Sequence, residues 1–167
     1  NSQLLPALEL PLTVYRKHVH WFRCGDLRYR SGFFFDLPHG QFYGFPVQEG
    51  RLKVAEHSGG EVVKDPLNTS REPDPVDNRR IEAFVRDHLP GVTLERLDHQ
   101  TCFYTRTPDE HFIVDRYPGS DNIAFAAGLS GHGFKFASAL GELLVDLATG
   151  QPPKCNYDFL SLARFTA

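Results

Sequence analysis

Hydrophobic and polar positions follow a period of two through much of the first half of the chain. Residues 12–23, LTVYRKHVHWFR, are β-branched and aromatic with partial alternation, which predicts a strand. GFFFDLP and HGQFYGFPV are two short aromatic runs around Pro38-His39-Gly40, the pattern of a hairpin. RLKVAEH, entered from Glu49-Gly50, predicts a further strand. Residues 58–75 are polar and rich in Gly, Pro, Asp and Ser, so a long loop is expected there. Helical spacing first appears at Ile81, Phe84, Val85 and Leu89. Asp74 suits the N-cap of that helix, Pro75 its first position, and Asp77 its positive end. Pro90-Gly91 stop it. Strand-like segments follow at 98–106, 111–115 and 122–127. The last runs into the glycine loop GLSGHGFK and a helix with Phe136, Leu140, Leu143, Leu144 and Leu147 on one stripe, ending at Gly150. Antiparallel-looking strands first and a strand–turn–helix last predict an α+β fold rather than regular βαβ alternation.

The chain has 167 residues, one domain's worth, with apolar and charged fractions ordinary for a soluble globular protein. Its net charge of −3 and the lack of a basic stripe argue against nucleic-acid binding. No apolar run approaches the roughly eighteen residues of a membrane helix, so no membrane partner is expected. Residues 4–14, LLPALELPLTV, have some likeness to a signal segment, but two prolines and Glu9 interrupt them and no basic stretch precedes. Cys24, Cys102 and Cys155 are odd in number and far apart, which fits free thiols in a reducing compartment and hence the cytoplasm. The absence of methionine, even at position 1, predicts a chain processed or cut from something longer.

Two stretches carry candidate chemistry. GLSGHGFK is neither a Walker A loop nor a G-x-G-x-x-G fingerprint, since its glycines fall at 128, 131 and 133. Backbone N–H groups at a helix N-terminus suit an electron-rich ligand. Lys135, placed in the first helical turn where the dipole disfavours a cation, hints at a partner anion. The same pattern also fits a tight turn with Lys135 solvated. In RLKVAEH, period two puts Leu52, Val54 and Glu56 on one face and Lys53, Ala55 and His57 on the other. Lys53 and His57 are then about 13 Å apart at ~3.3 Å per residue. If the face of Gln41, Tyr43 and Phe45 adjoins theirs, a tyrosine, a lysine and a histidine line one surface, either a pocket or a solvated polar face. His18 and His20, with His57, form the one grouping that suggests a metal. No carboxylate or thiolate stands at telling spacing beside them, so no metal is expected.

Three strings in order, FYGFPVQEGRLKVAEH, TCFYTRTPDEHFIVD and DNIAFAAGLSGHGFKFASALGELLVDLATG, resemble the C-terminal half of the monomeric sarcosine oxidase family. That family includes N-methyltryptophan oxidase and belongs to the FAD-dependent amino-acid oxidases. The resemblance runs from about residue 10 to the end. It implies an α+β fold in which residues 1–108 are the later part of a substrate domain, with an antiparallel or mixed sheet. Residues 109–167 would be a returning strand–turn–helix of the FAD-binding domain. It also implies oxidation of a secondary, N-methyl amino acid to an imine, with O2 reduced to H2O2. Cys102 matches the family's cysteine joined through sulfur to the flavin 8α-methyl, and Lys53 its lysine beside flavin N5, where a fixed cation favours oxygen reduction. His57 and Tyr43 match residues flanking the substrate, and Lys135 the lysine that helps bind the substrate carboxylate. Gly128, Ser130, Gly131, His132 and Gly133 match the loop that approaches the flavin's pyrimidine edge. The N-terminal βαβ unit with G-x-G-x-x-G is absent here, so the resemblance implies that a missing N-terminal segment completes the FAD site. Two alternatives stand beside this reading: a flavin-dependent amino-acid dehydrogenase subunit, and a non-catalytic module that keeps the scaffold.

Overall fold

The structure is a computed structural model that describes residues 5–165. Leu4 of the 4–14 stretch, and the outermost ends of the two expected domain portions, lie outside the described residues. The chain divides into two compact units. One is Tyr15–Phe103, and the other joins the residues up to Val14 with those from Tyr104 onward.

The Tyr15–Phe103 unit is built on an antiparallel sheet. Its strands are β1 (Thr13–Arg23), β2 (Phe33–Leu37), β3 (Gly40–Gly44), β4 (Arg51–Glu56), β5 (Glu61–Val63) and β6 (Arg96–Arg106), with β1 and β6 continuing past the unit's ends. The order is β2-β3-β4-β1-β5, and β6 also pairs with β1. β2 and β3 form the expected hairpin, in register from Phe33↔Gly44 to Leu37↔Gly40. β4 pairs β1 from Val19↔Ala55 to Arg23↔Arg51, and pairs β3 at Phe42↔Glu56, Tyr43↔Ala55 and Gly44↔Val54.

Helix α1 (Pro75–His88) covers one face of this sheet. Its start is the one predicted: the Asp74 side chain accepts from the backbone N–H of Val76 at 2.6 Å and of Asp77 at 3.3 Å. Such a cap is worth about 1 kcal/mol. Ile81, Phe84, Val85 and Leu89 bury themselves against Phe22, Phe42, Leu52 and Val54. The Phe42 and Phe84 rings stack with centroids 4.3 Å apart. Each aromatic ring removed from water here stabilises the unit by about 2 kcal/mol. The core thus takes the Leu52 and Val54 side of β4 and leaves the Lys53 side for other uses.

The 58–75 stretch departs from the loop expected of it, because β5 lies within it and adds to β1. Three residues are too short to register as alternation, and the surrounding Gly, Pro, Asp and Ser mask them. Val63 is buried, and Glu61 pairs with Arg16.

In the second unit β7 (Ile113–Arg116) and β8 (Ala124–Ala127) form a two-stranded antiparallel sheet, in register from Ile113↔Ala127 to Arg116↔Ala124. Alternation splits them cleanly. Val114, Ala124 and Ala126 join Leu143 and Leu147 of helix α2 (Ala137–Thr149) and Leu160, while Ile113, Phe125 and Ala127 pack with Leu10. Gly150, at φ 70°, ends α2 in the left-handed conformation that glycine adopts without strain. The architecture is the α+β one predicted. Among the described residues no helix is long and apolar enough to cross a membrane.

Candidate functional site

The register fixes which side chains share the open face of the larger sheet. Phe34 pairs with Tyr43, Tyr43 with Ala55, and Trp21 with Lys53, so Phe34, Tyr43, Lys53 and Trp21 point to one side. Phe45 and His57 share that side by parity. The contacts agree. The Lys53 ammonium lies 5.3 Å from the Trp21 ring centroid and 5.2 Å from that of Phe45. Tyr43 meets Phe45 edge-on at 6.0 Å and His57 at 6.4 Å, and Phe34 meets His57 at 6.1 Å. The tyrosine, lysine and histidine picked out by period two therefore do line one surface. A cavity of about 710 Å³ opens on it, lined by Trp21, Phe45, Pro46, Gln48, Glu49, Arg51 and Lys53.

Cys102 belongs to this neighbourhood through β6. It is half-buried, and burial pushes its thiol pKa up, while the charges of Lys53 and Lys17 pull it back down. The thiol is thus a sheltered one, held mainly protonated at neutral pH. Lys17, at 4% exposure, is a buried cation that the alternation of β1 alone does not single out. Its parity with Val19 and Trp21 was the available signal.

His18 and His20 turn to the opposite, α1-facing side, because His20 pairs with buried Val54. His18 Nδ1 lies 2.7 Å from His99 Nε2, and His20 Nε2 lies 2.7 Å from Asp77 Oδ2. They cannot join His57 in a metal site, since one strand presents alternate residues to opposite faces. Among the described residues no group of three or more His, Cys, Asp or Glu side chains is placed to hold a metal ion.

The glycine loop belongs to the second unit. It leaves β8 at Gly128 (φ 60°) and carries positive φ again at Ser130 (49°) and Gly131 (81°). A Cβ on Gly131 would strike the Tyr104 ring, and one on Gly128 would strike Thr107 Cγ2. Close packing against the 104–107 segment thus requires both glycines. Ser130 is buried, its N–H donating to the Thr105 carbonyl at 2.9 Å and its hydroxyl to the Gly128 carbonyl at 3.0 Å. The N–H of His132 is used within the loop, on the Leu129 carbonyl. Any donor offered to a ligand comes from the loop's remaining amides. His132 packs on Phe112 at 4.8 Å.

Lys135 is not in the first turn of α2. It sits in a separate 3-10 turn, Phe134–Phe136, and α2 begins after it at Ala137. The conflict with the helix dipole inferred from the pattern therefore falls away. The side chain is exposed, with its ammonium 5.3 Å from the Phe136 ring. Phe134 and Phe136 are exposed too, at 94% and 42%.

Comparison with known proteins decides the family. The sequence pattern of the FAD dependent oxidoreductase family matches residues 1–147. The chain belongs to that family. Monomeric sarcosine oxidase from Bacillus sp. (strain NS-129) is 40% identical over 174 residues, which cover 98% of this chain and 45% of that protein. N-methyl-L-tryptophan oxidase from Citrobacter koseri is 40% identical over 167 residues, covering 95% of this chain and 44% of that one. The chain thus spans under half the length of these relatives. Among solved structures, glycine oxidase from Geobacillus kaustophilus superimposes with a TM-score of 0.79 at 16% identity, over 98% of this chain and 42% of that one. That likeness speaks for the fold alone. The residues present fit an FAD-dependent oxidoreductase: a half-apolar concave face with flat rings, a lysine ammonium held between two of them, and a sheltered thiol nearby.

Proposed function

We propose that this chain is the C-terminal portion of a flavin-dependent oxidase of secondary, N-methyl amino acids. The observation that carries the reading is the sheet face on which Lys53, held by Trp21 and Phe45, shares one side with Tyr43 and His57. The family and the two 40%-identical relatives support it. FAD, when bound, would supply the two-electron oxidation of the substrate at its C–N bond, with O2 as the final electron acceptor and H2O2 as the product. The protein's own residues orient and charge the site. Lys53, held between its two aromatic neighbours, would place a fixed cation where negative charge develops on oxygen. Tyr43 and His57 flank the substrate's reacting end, and Lys135 reaches for its carboxylate. Gly128, Ser130, Gly131, His132 and Gly133 would meet the cofactor, and Cys102 would be its covalent anchor. An N-terminal segment outside this chain completes the site. Free thiols at all three cysteines suit a cytoplasmic enzyme.

The test uses the full-length protein that carries this chain. Oxygen uptake on addition of sarcosine or N-methyl-L-tryptophan, with peroxide formed one-for-one, is the expected result. Reduction by these amines without oxygen uptake, requiring an added electron acceptor, would assign the chain to a dehydrogenase instead. No reaction with either amine would leave only the scaffold.

A further inference from the structure

His57 stands just past the end of β4, where a strand ordinarily frays. Here the backbone is secured on every side. The His57 N–H donates to the Gln41 carbonyl at 2.6 Å. The Ser58 hydroxyl accepts from the Gln41 N–H at 2.9 Å and donates to Glu56 Oε1 at 2.8 Å. Glu56 is 4% exposed, and its two carboxylate oxygens accept from Arg80 of α1, from Nε at 2.7 Å and from Nη2 at 2.6 Å. Arg80 also donates to the His39 carbonyl at 2.8 Å, tying the β2–β3 turn into the same network. From β1 the Lys17 ammonium donates to the carbonyls of Ser58 and, at 3.2 Å, Gly59. The chain then turns away through Gly59 (φ 64°) and Gly60 (φ 102°). A Cβ on Gly60 would come within 2.9 Å of both the Arg16 carbonyl oxygen and Lys17 Cδ, so the turn is seated directly on β1.

A buried carboxylate and a buried ammonium are costly ways to end a strand, and apolar residues would close this edge at less expense in desolvation. What they provide is direction. Charge-assisted bonds from α1 and from β1 converge on the two residues that bracket His57 and hold the backbone from which its imidazole meets Phe34 and Tyr43. We propose that Glu56, Arg80 and Lys17 are positioning residues for His57, an inference that deepens the oxidase reading above and rests on it. None of the three need touch the substrate. They act through the height and angle of the imidazole, and displacement of a reacting group by about 1 Å costs on the order of a hundredfold in rate.

The experiment follows the His57 ring directly in the full-length protein, by NMR contacts from the imidazole to Phe34 and Tyr43, alongside flavin reduction by sarcosine as a function of pH. Glu56→Ala and Lys17→Met are expected to weaken those contacts, to slow reduction at saturating sarcosine at least tenfold, and to displace its pH profile. Glu56→Gln keeps the size and one accepting oxygen but turns the other into a donor facing Arg80, so it is expected to restore only part of both. If Glu56→Ala does not fold, Ser58→Ala removes only the hydroxyl link and carries the same expectation in smaller degree. Contacts and pH profile identical to the unmodified protein, in folded Lys17→Met together with folded Glu56→Ala or Ser58→Ala, would overturn the proposal. Failure of the unmodified protein to be reduced by sarcosine or N-methyl-L-tryptophan would instead overturn the oxidase reading, and the ring contacts would still decide the positioning.

Discussion

Lys53 sits between an indole and a phenyl ring, and that setting explains more than its charge alone. Two cation–π contacts at 5.3 and 5.2 Å hold the ammonium on the sheet face and limit its swing. Cys102 shows the converse effect. Burial raises the thiol's pKa, and the Lys53 and Lys17 charges oppose that rise without cancelling it. A thiol in such a place is protected from indiscriminate oxidation and becomes reactive only toward a strong electrophile brought alongside it. The proposed anchor makes a simple prediction. After acid precipitation of the full-length protein the yellow colour stays with the polypeptide, and in Cys102→Ala it moves wholly to the supernatant. Colour released from both proteins would mean that Cys102 is not an anchor. The roles of Tyr43 and His57 are readable at this scale because period two within single strands put them with Lys53. Lys17 was not readable that way. Its importance depends on which turn it underlies, and a turn seated across two strands leaves no mark on either strand's own pattern.

Among the elements, α1 was the most legible, since Asp74, Pro75 and the Ile81-Phe84-Val85 spacing are local signals that tertiary packing only reinforces. β5 was the least, because its pairing to β1 supplies what three residues of propensity cannot. Lys135 falls outside α2 for a related reason: a 3-10 turn and the first turn of an α-helix look alike in sequence. The element interface between β1, β6 and α1 carries a pH dependence of its own. Burial lowers the pKa of His99 to about 4, with the His20 and His18 charges adding to it, and Arg96 pushing the same way against Asp77. Burial likewise lowers that of His18, where Asp77 and Asp74 pull upward and Arg16 and His20 downward. Folded values below the unfolded value of about 6.5 mean that the unfolded chain binds more protons between roughly pH 4 and 6.5. The contribution of these neutral imidazoles to stability is therefore complete above pH 6.5 and lost as pH falls toward 4. Urea denaturation at pH 7, 6 and 5 is expected to show falling stability, with a smaller fall in His99→Asn. An equal fall in both proteins would place the acid sensitivity elsewhere.

At the scale of the molecule, the chain belongs to the FAD dependent oxidoreductases and spans under half of relatives such as the sarcosine and N-methyl-L-tryptophan oxidases. Its candidate chemistry is divided between its units. Tyr43, Lys53, His57 and Cys102 lie in one, and the glycine loop with Lys135 in the other. The α+β class could be read from the order of periodicities. The division into units could not, because the N-terminal segment near Leu10 packs with Ile113 and Phe125, a partnership across a hundred residues that no local pattern records. The proposed oxidase activity requires Lys53 as the cation beside oxygen. Stopped-flow measurement of the two half-reactions in full-length Lys53→Met tests it most directly. The predicted result is reduction by an N-methyl amino acid at close to the normal rate, with reoxidation by O2 slowed about a hundredfold or more, the scale of losing one preorganised electrostatic group. Equal slowing of both half-reactions, or unimpaired reoxidation, would contradict it.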